Sequence, residues 1–94
     1  MDKKIDADQH FINLVLMLAS ACWQQLGKIP NPLDGKAAKD LNHAKITIDI
    51  LMMIKDKTKG NLTADEERLI QNTISDLQLN YSDEVLKGDP RGTN

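Results

Sequence analysis

Ninety-four residues carrying a formal charge of −2 make a single domain with a modest core, since a chain this short hides only about two thirds of its unfolded surface on folding. Aromatic residues at 3% leave little surface for stacking on bases or sugars, and the slightly acidic balance gives no electrostatic footprint for nucleic acid or an anionic membrane. One cysteine, Cys22, excludes an internal disulfide and is compatible with a reducing cytoplasm.

The run FINLVLMLASAC, residues 11–22, has the apolar stretch, small residues and cysteine of a lipoprotein signal, but the residues before it argue otherwise. Lys3 and Lys4 are offset by Asp2, Asp6 and Asp8, where a secretory leader is net positive. Asn13 and Ser20 interrupt the run, and Gln24 and Gln25 end it well short of the roughly 20 residues that span a bilayer. The stretch reads as a buried helix. Asp8 is placed to cap it, the helix is expected from about Gln9 to Leu26, and Gly27 closes it. The following LGKIPNPLDGK reads as a stiff connector, because Pro30 and Pro32 lack amide donors and Asp34-Gly35 signals a turn.

A second helix is expected to start between Asp34 and Asp40 and to continue to about Lys59. Gly60 is suited to the left-handed conformation that ends a helix, and Lys55, Lys57 and Lys59 put positive charge near its last carbonyls. Thr63 with Glu66 three residues later forms a capping box, so a third helix runs from about Ala64 to Val85 or Leu86. The stretch KTKGNLTADEE could also be read as a phosphate-cradling corner. Asp65, Glu66 and Glu67 oppose that reading, since they crowd the helix start where an anion would sit, and the fuller glycine and lysine pattern of a phosphate loop is missing. Gly60, Thr63 and Glu66 are therefore assigned to the corner itself. No segment alternates with a period of two, so the expected fold is all-α, an up-down-up three-helix domain over residues 8–87 with flexible tails at 1–7 and 88–94.

The apolar faces then imply a partner. Phe11, Val15, Leu18, Ala19, Cys22 and Leu26 share one face of the first helix, with Ile12, Leu14, Leu16 and Trp23 flanking it. The third helix offers one stripe, Ile70, Ile74, Leu77 and Tyr81, with Leu69 alongside. The second helix has two: Leu41, Ala44, Ile48 and Leu51 on one side, and Ile46, Ile50 and Met53 nearly opposite. A three-helix monomer buries only one of these, which leaves a patch of the kind that marks an interaction surface. A homodimer or higher symmetric oligomer is the simplest way to cover it, and Leu14, Met17, Trp23, Ile46, Ile50 and Met53 are the candidate interface.

On the residues FINLVLMLASA, LGKIPNP, AKITIDIL and KTKGNLT followed by Glu67, the chain resembles the bacterial family known as domain of unknown function eighteen-forty-four. These segments span about residues 11–81 in consistent order, and KTKGNLT with the LGxIPxP connector is the more specific part. The resemblance implies a short, cytoplasmic, helical protein. It carries across no catalytic or binding residue.

Reactive chemistry finds no constellation. Cys22 has Leu18, Ala19 and Leu26 as helical neighbours, with no base or positive charge to activate it, and reads as a buried structural thiol. His10 and His43 lie on different helices with no paired ligand, so no metal site is expected, and neither histidine is assigned a catalytic or cofactor role. Asp49 is expected to lie at an edge or to pair with Lys45 one turn earlier. Met17, Met52 and Met53 fit core or interface packing. The glycosylation-like triplets at Asn61 and Asn80 are coincidental in a cytoplasmic helical chain.

The sequence therefore points to a non-enzymatic interaction or scaffold protein, a small cytoplasmic helical homo-oligomer with self as its partner and an unknown protein as a further one. It binds neither nucleic acid nor membrane on this reading. The alternative is a binding module for an apolar small molecule between the first and second helices.

Overall fold

The computed structural model describes residues 7–30, 33, 35 and 39–87. Three helices, α1 (Gln9–Gln25), α2 (Leu41–Lys57) and α3 (Ala64–Leu86), follow one another, and each packs against both of the others. Among the described residues there is no strand; Leu26 and Lys39 form one isolated antiparallel bridge. The expected up-down-up fold is the one adopted. Of the expected tails only Ala7 falls among the described residues; Pro30 and Gly35 of the connector do as well, but not Pro32 or Asp34.

Each helix boundary has a local chemical cause. Asp8 caps α1, its Oδ1 accepting from the His10 amide at 2.8 Å. At the other end the Gly27 amide donates to the Gln24 carbonyl and the Lys28 amide to the Trp23 carbonyl, at 3.0 and 2.9 Å. Those two bonds make a Schellman closure, and Gly27 takes the positive φ of +80° that it requires. Asp40 caps α2, so this helix starts at the late limit of the expected window.

The end of α2 corrects the sequence expectation. The helix stops at Lys57, not Lys59, with Thr58 as its C-cap and the Thr58 hydroxyl donating back to the Ile54 carbonyl at 2.7 Å. Gly60 does have a positive φ, +86°, but it serves a separate turn in which the Asn61 amide donates to the Thr58 carbonyl at 2.8 Å. It occupies the third position of that turn, where a positive φ favours glycine. The helix ends at Lys57 because Thr58 opens that turn: its carbonyl accepts from Asn61, three residues on, and so leaves the helical ladder.

The core is the set of stripes expected from helical spacing. Val15, Ala19, Cys22 and Leu26 of α1 meet Ala44, Ile48 and Leu51 of α2 and Ile70, Ile74 and Leu77 of α3. Phe11, Leu18, Trp23, Leu41, Ile54, Leu62, Leu69 and Tyr81 pack around them. At about 25 cal/mol per Å² of apolar surface hidden, this cluster is the main favourable term in the fold.

Candidate interaction surface

Two neighbouring side chains fix how α1 and α2 face each other. The Thr47 hydroxyl donates to Gln25 Oε1 at 2.8 Å, so Gln25 and Thr47 mark the seam. Leu18 and Ala21 precede Gln25 on its own helical row, and Ile54 follows Thr47 on its row. Inside the seam the packing is closed: Val15, Cys22, Ala44 and Leu51 are fully buried. The Cys22 Sγ lies 3.6 Å from the Ala44 carbonyl, and burial pushes the thiol up to about 11. That thiol stays protonated and inert at neutral pH.

Outside the seam the outward row of α2 is uncovered. Ile46, Ile50 and Met53 recur at i, i+4 and i+7, opposite the buried Ala44, Ile48 and Leu51. With Leu14 and Met17 of α1 their exposures run from 36% at Ile50 to 66% at Met17. Trp23 does not join them. It is half-buried and packs against the core, because its position on α1 turns it away from the Gln25 row. Of the residues expected at an interface, Leu14, Met17, Ile46, Ile50 and Met53 are exposed, the first two on α1 and the others on α2, whereas Trp23 packs against the core.

Charged groups border the α2 row. Lys45 Nζ donates to Asp49 Oδ2 at 3.2 Å, one of the two arrangements expected for Asp49. At the start of the helix His43 Nδ1 lies 2.6 Å from Asp40 Oδ2, and the hydrogen bonds from the His43 amide and ring hold the Asp40 carboxyl below its usual range. Among the described residues no group of three or more His, Cys, Asp or Glu is placed to hold a metal ion. No described helix is long and apolar enough to cross a membrane.

Two surface hollows among the described residues do not resemble an enclosed ligand site. One is a wide, open depression on the outer side of α1, lined by Leu16, Met17 and Ala21 together with Asn13, Ser20 and Gln24. The other is a partly open groove between α2 and α3, where Met52 and Ile74 are ringed by Lys55, Asp56, Lys59 and Glu67. An apolar ligand between α1 and α2 would have to displace the side chains that already fill the seam.

At the corner, Thr63 and Glu66 pair as their spacing predicts, with one addition, while Gly60 lies in the turn before them and does not end α2. Thr63 and Glu66 form the reciprocal capping box: Glu66 Oε1 accepts from the Thr63 amide at 2.8 Å, and Thr63 Oγ1 from the Glu66 amide at 3.2 Å. The other oxygen of Glu66 accepts from the Asp8 amide at 2.6 Å. One buried carboxylate therefore ties the starts of α1 and α3 together, and it already occupies the position an anion would need.

Sequence reasoning did not single out Glu84. Its carboxylate is almost wholly covered, not by the core but by three lysine chains: Lys28 and Lys39 at 2.7 Å and Lys87 at 3.2 Å. Hydrogen bonds from Lys28 and then Lys39 hold its carboxyl down at about 2, against the opposing effect of desolvation. The available signal was positional. Glu84 continues the stripe Ile70, Ile74, Leu77 and Tyr81, so a charge sits where the pattern calls for an apolar side chain.

A family model described as "Domain of unknown function (DUF1844)" matches residues 8–83. The chain belongs to that family, whose match covers α1, α2 and most of α3. No curated protein and no solved structure matches it.

Proposed function

We propose that this member of the DUF1844 family is a non-enzymatic interaction protein, a small cytoplasmic helical homo-oligomer that scaffolds or regulates a partner. The observation that carries the reading is the second apolar row of α2, Ile46, Ile50 and Met53, which the three-helix fold leaves exposed, as it does Leu14 and Met17 of α1. Hiding a few hundred Å² of such surface at about 25 cal/mol per Å² outweighs any exposed ion pair on the chain. A symmetric oligomer covers the row with itself, and the remaining surface is left for a different protein.

Light scattering after gel filtration tests the reading directly. The protein should elute with the mass of a multimer at tens of micromolar, and Ile50→Glu should release monomers that keep their helicity. A monomer mass for the native chain at that concentration would overturn the proposal.

A further inference from the structure

We infer that the occupant of the open α2 row is a second copy of this chain docked antiparallel, α2 against α2, with Lys45 level with Asp56 of the second copy. The inference rests on the self-association reading above and adds a direction and a register to it.

The charges bordering the row carry the argument. Lys45, Asp49 and Asp56 lie along one flank of α2, and Lys45 Nζ is already held toward that flank by Asp49. When two identical helices pack antiparallel about a twofold axis, each flank lies beside the same flank of its partner, and every contact occurs twice. Setting Lys45 level with Asp56 of the second copy therefore creates two identical ion pairs across the interface.

The same register interleaves the apolar row. With a rise of about 1.5 Å per residue, Ile46 falls between Met53 and Lys57 of the second copy. Ile50 falls between Ile50 and Met53, and Met53 between Ile46 and Ile50, so each side chain meets a gap and not a ridge. Parallel pairing fails on Lys57. That residue continues the row of Ile46, Ile50 and Met53 by one turn, so parallel helices would set Lys57 against Lys57. The antiparallel arrangement carries it past the row, toward the Asp40–His43 cap of the second copy.

Mixed cysteine cross-linking reads the direction. Ile46→Cys and Met53→Cys proteins, each keeping the buried Cys22, are oxidised alone and as an equimolar mixture. The mixture should give a disulfide-linked heterodimer, and neither variant alone should link efficiently. Self-linking of each variant with no linked heterodimer in the mixture would mean parallel helices. A native dimer that gives no link in any combination would place the interface elsewhere, and either result overturns this inference while the self-association reading stands.

Charge exchange reads the register. Lys45→Asp and Asp56→Lys should each raise the dimer dissociation constant about tenfold, and the double exchange should recover most of that loss. Helicity measured on each variant separates a weakened interface from a weakened helix. Additive losses in the double exchange would overturn the register. A native chain that is monomeric overturns both this inference and the reading on which it rests.

Discussion

The two inter-helix connections of this protein are held in opposite ways. The corner between α2 and α3 is secured mainly by residues close to it in sequence: Thr58 reaching back to Ile54, Gly60 in its turn, and Thr63 exchanging bonds with Glu66. The connector between α1 and α2 is held from far away. Its two ends meet through the Asp40 amide and the Gln25 carbonyl at 2.7 Å, and Lys28 and Lys39 both converge on Glu84 near the end of α3. A short loop can be fixed by its own caps, whereas a long one loses more conformational freedom and needs outside anchors.

The largest expected effect comes from removing the distant anchor. Glu84→Ala leaves Lys28 and Lys39 without their shared acceptor and should lower stability by about 2 kcal/mol, measured by urea unfolding at neutral pH. The pH dependence has a definite sign. The carboxyl of Glu84 is depressed in the folded protein to about 2, so its contribution is fully present above the ordinary glutamate range and is lost as pH falls from about 5 toward 2. Glu84→Gln should flatten that part of the stability profile. An unchanged acid slope in the variant would show that the cluster does not anchor the connector.

At the corner the effects should be smaller and local. Gly60→Val should cost about 1.5 kcal/mol, all of it from the backbone, because a Cβ there meets nothing within 4 Å. Equal urea midpoints for the two proteins would remove Gly60 from the account of the corner. Thr63→Ala takes away one half of the capping box and should cost about 1 kcal/mol, again by urea unfolding. Glu66 would still hold the Asp8 amide, so α1 should keep its start.

The smallest effect separates the corner from an anion site. Lys57→Ala with Lys59→Ala should cost only a few tenths of a kcal/mol per site, since exposed lysines near a helix end act through solvent. Amide shifts of Gly60 to Glu66 should not respond to ATP. Saturable shifts at millimolar ATP, lost in the double lysine variant, would reopen phosphate binding at this corner.

The sequence by itself determined the three helices, the stripes that meet in the core, and the caps at Asp8, Thr63 and Glu66, because these depend on helical spacing and on bonds within a few residues. It also marked Ile46, Ile50 and Met53 as a second apolar row on α2. It placed the end of α2 two residues late, because the turn through Gly60 already begins at Thr58 and residue types alone do not show where helical bonds give way to it. Only the tertiary structure decided that Trp23 turns toward the core, that Glu66 reaches across to Asp8, and that Lys28 and Lys39 close on Glu84. Those outcomes join residues up to 58 positions apart, and their pairing depends on how the helices are rotated and docked, which no local pattern encodes.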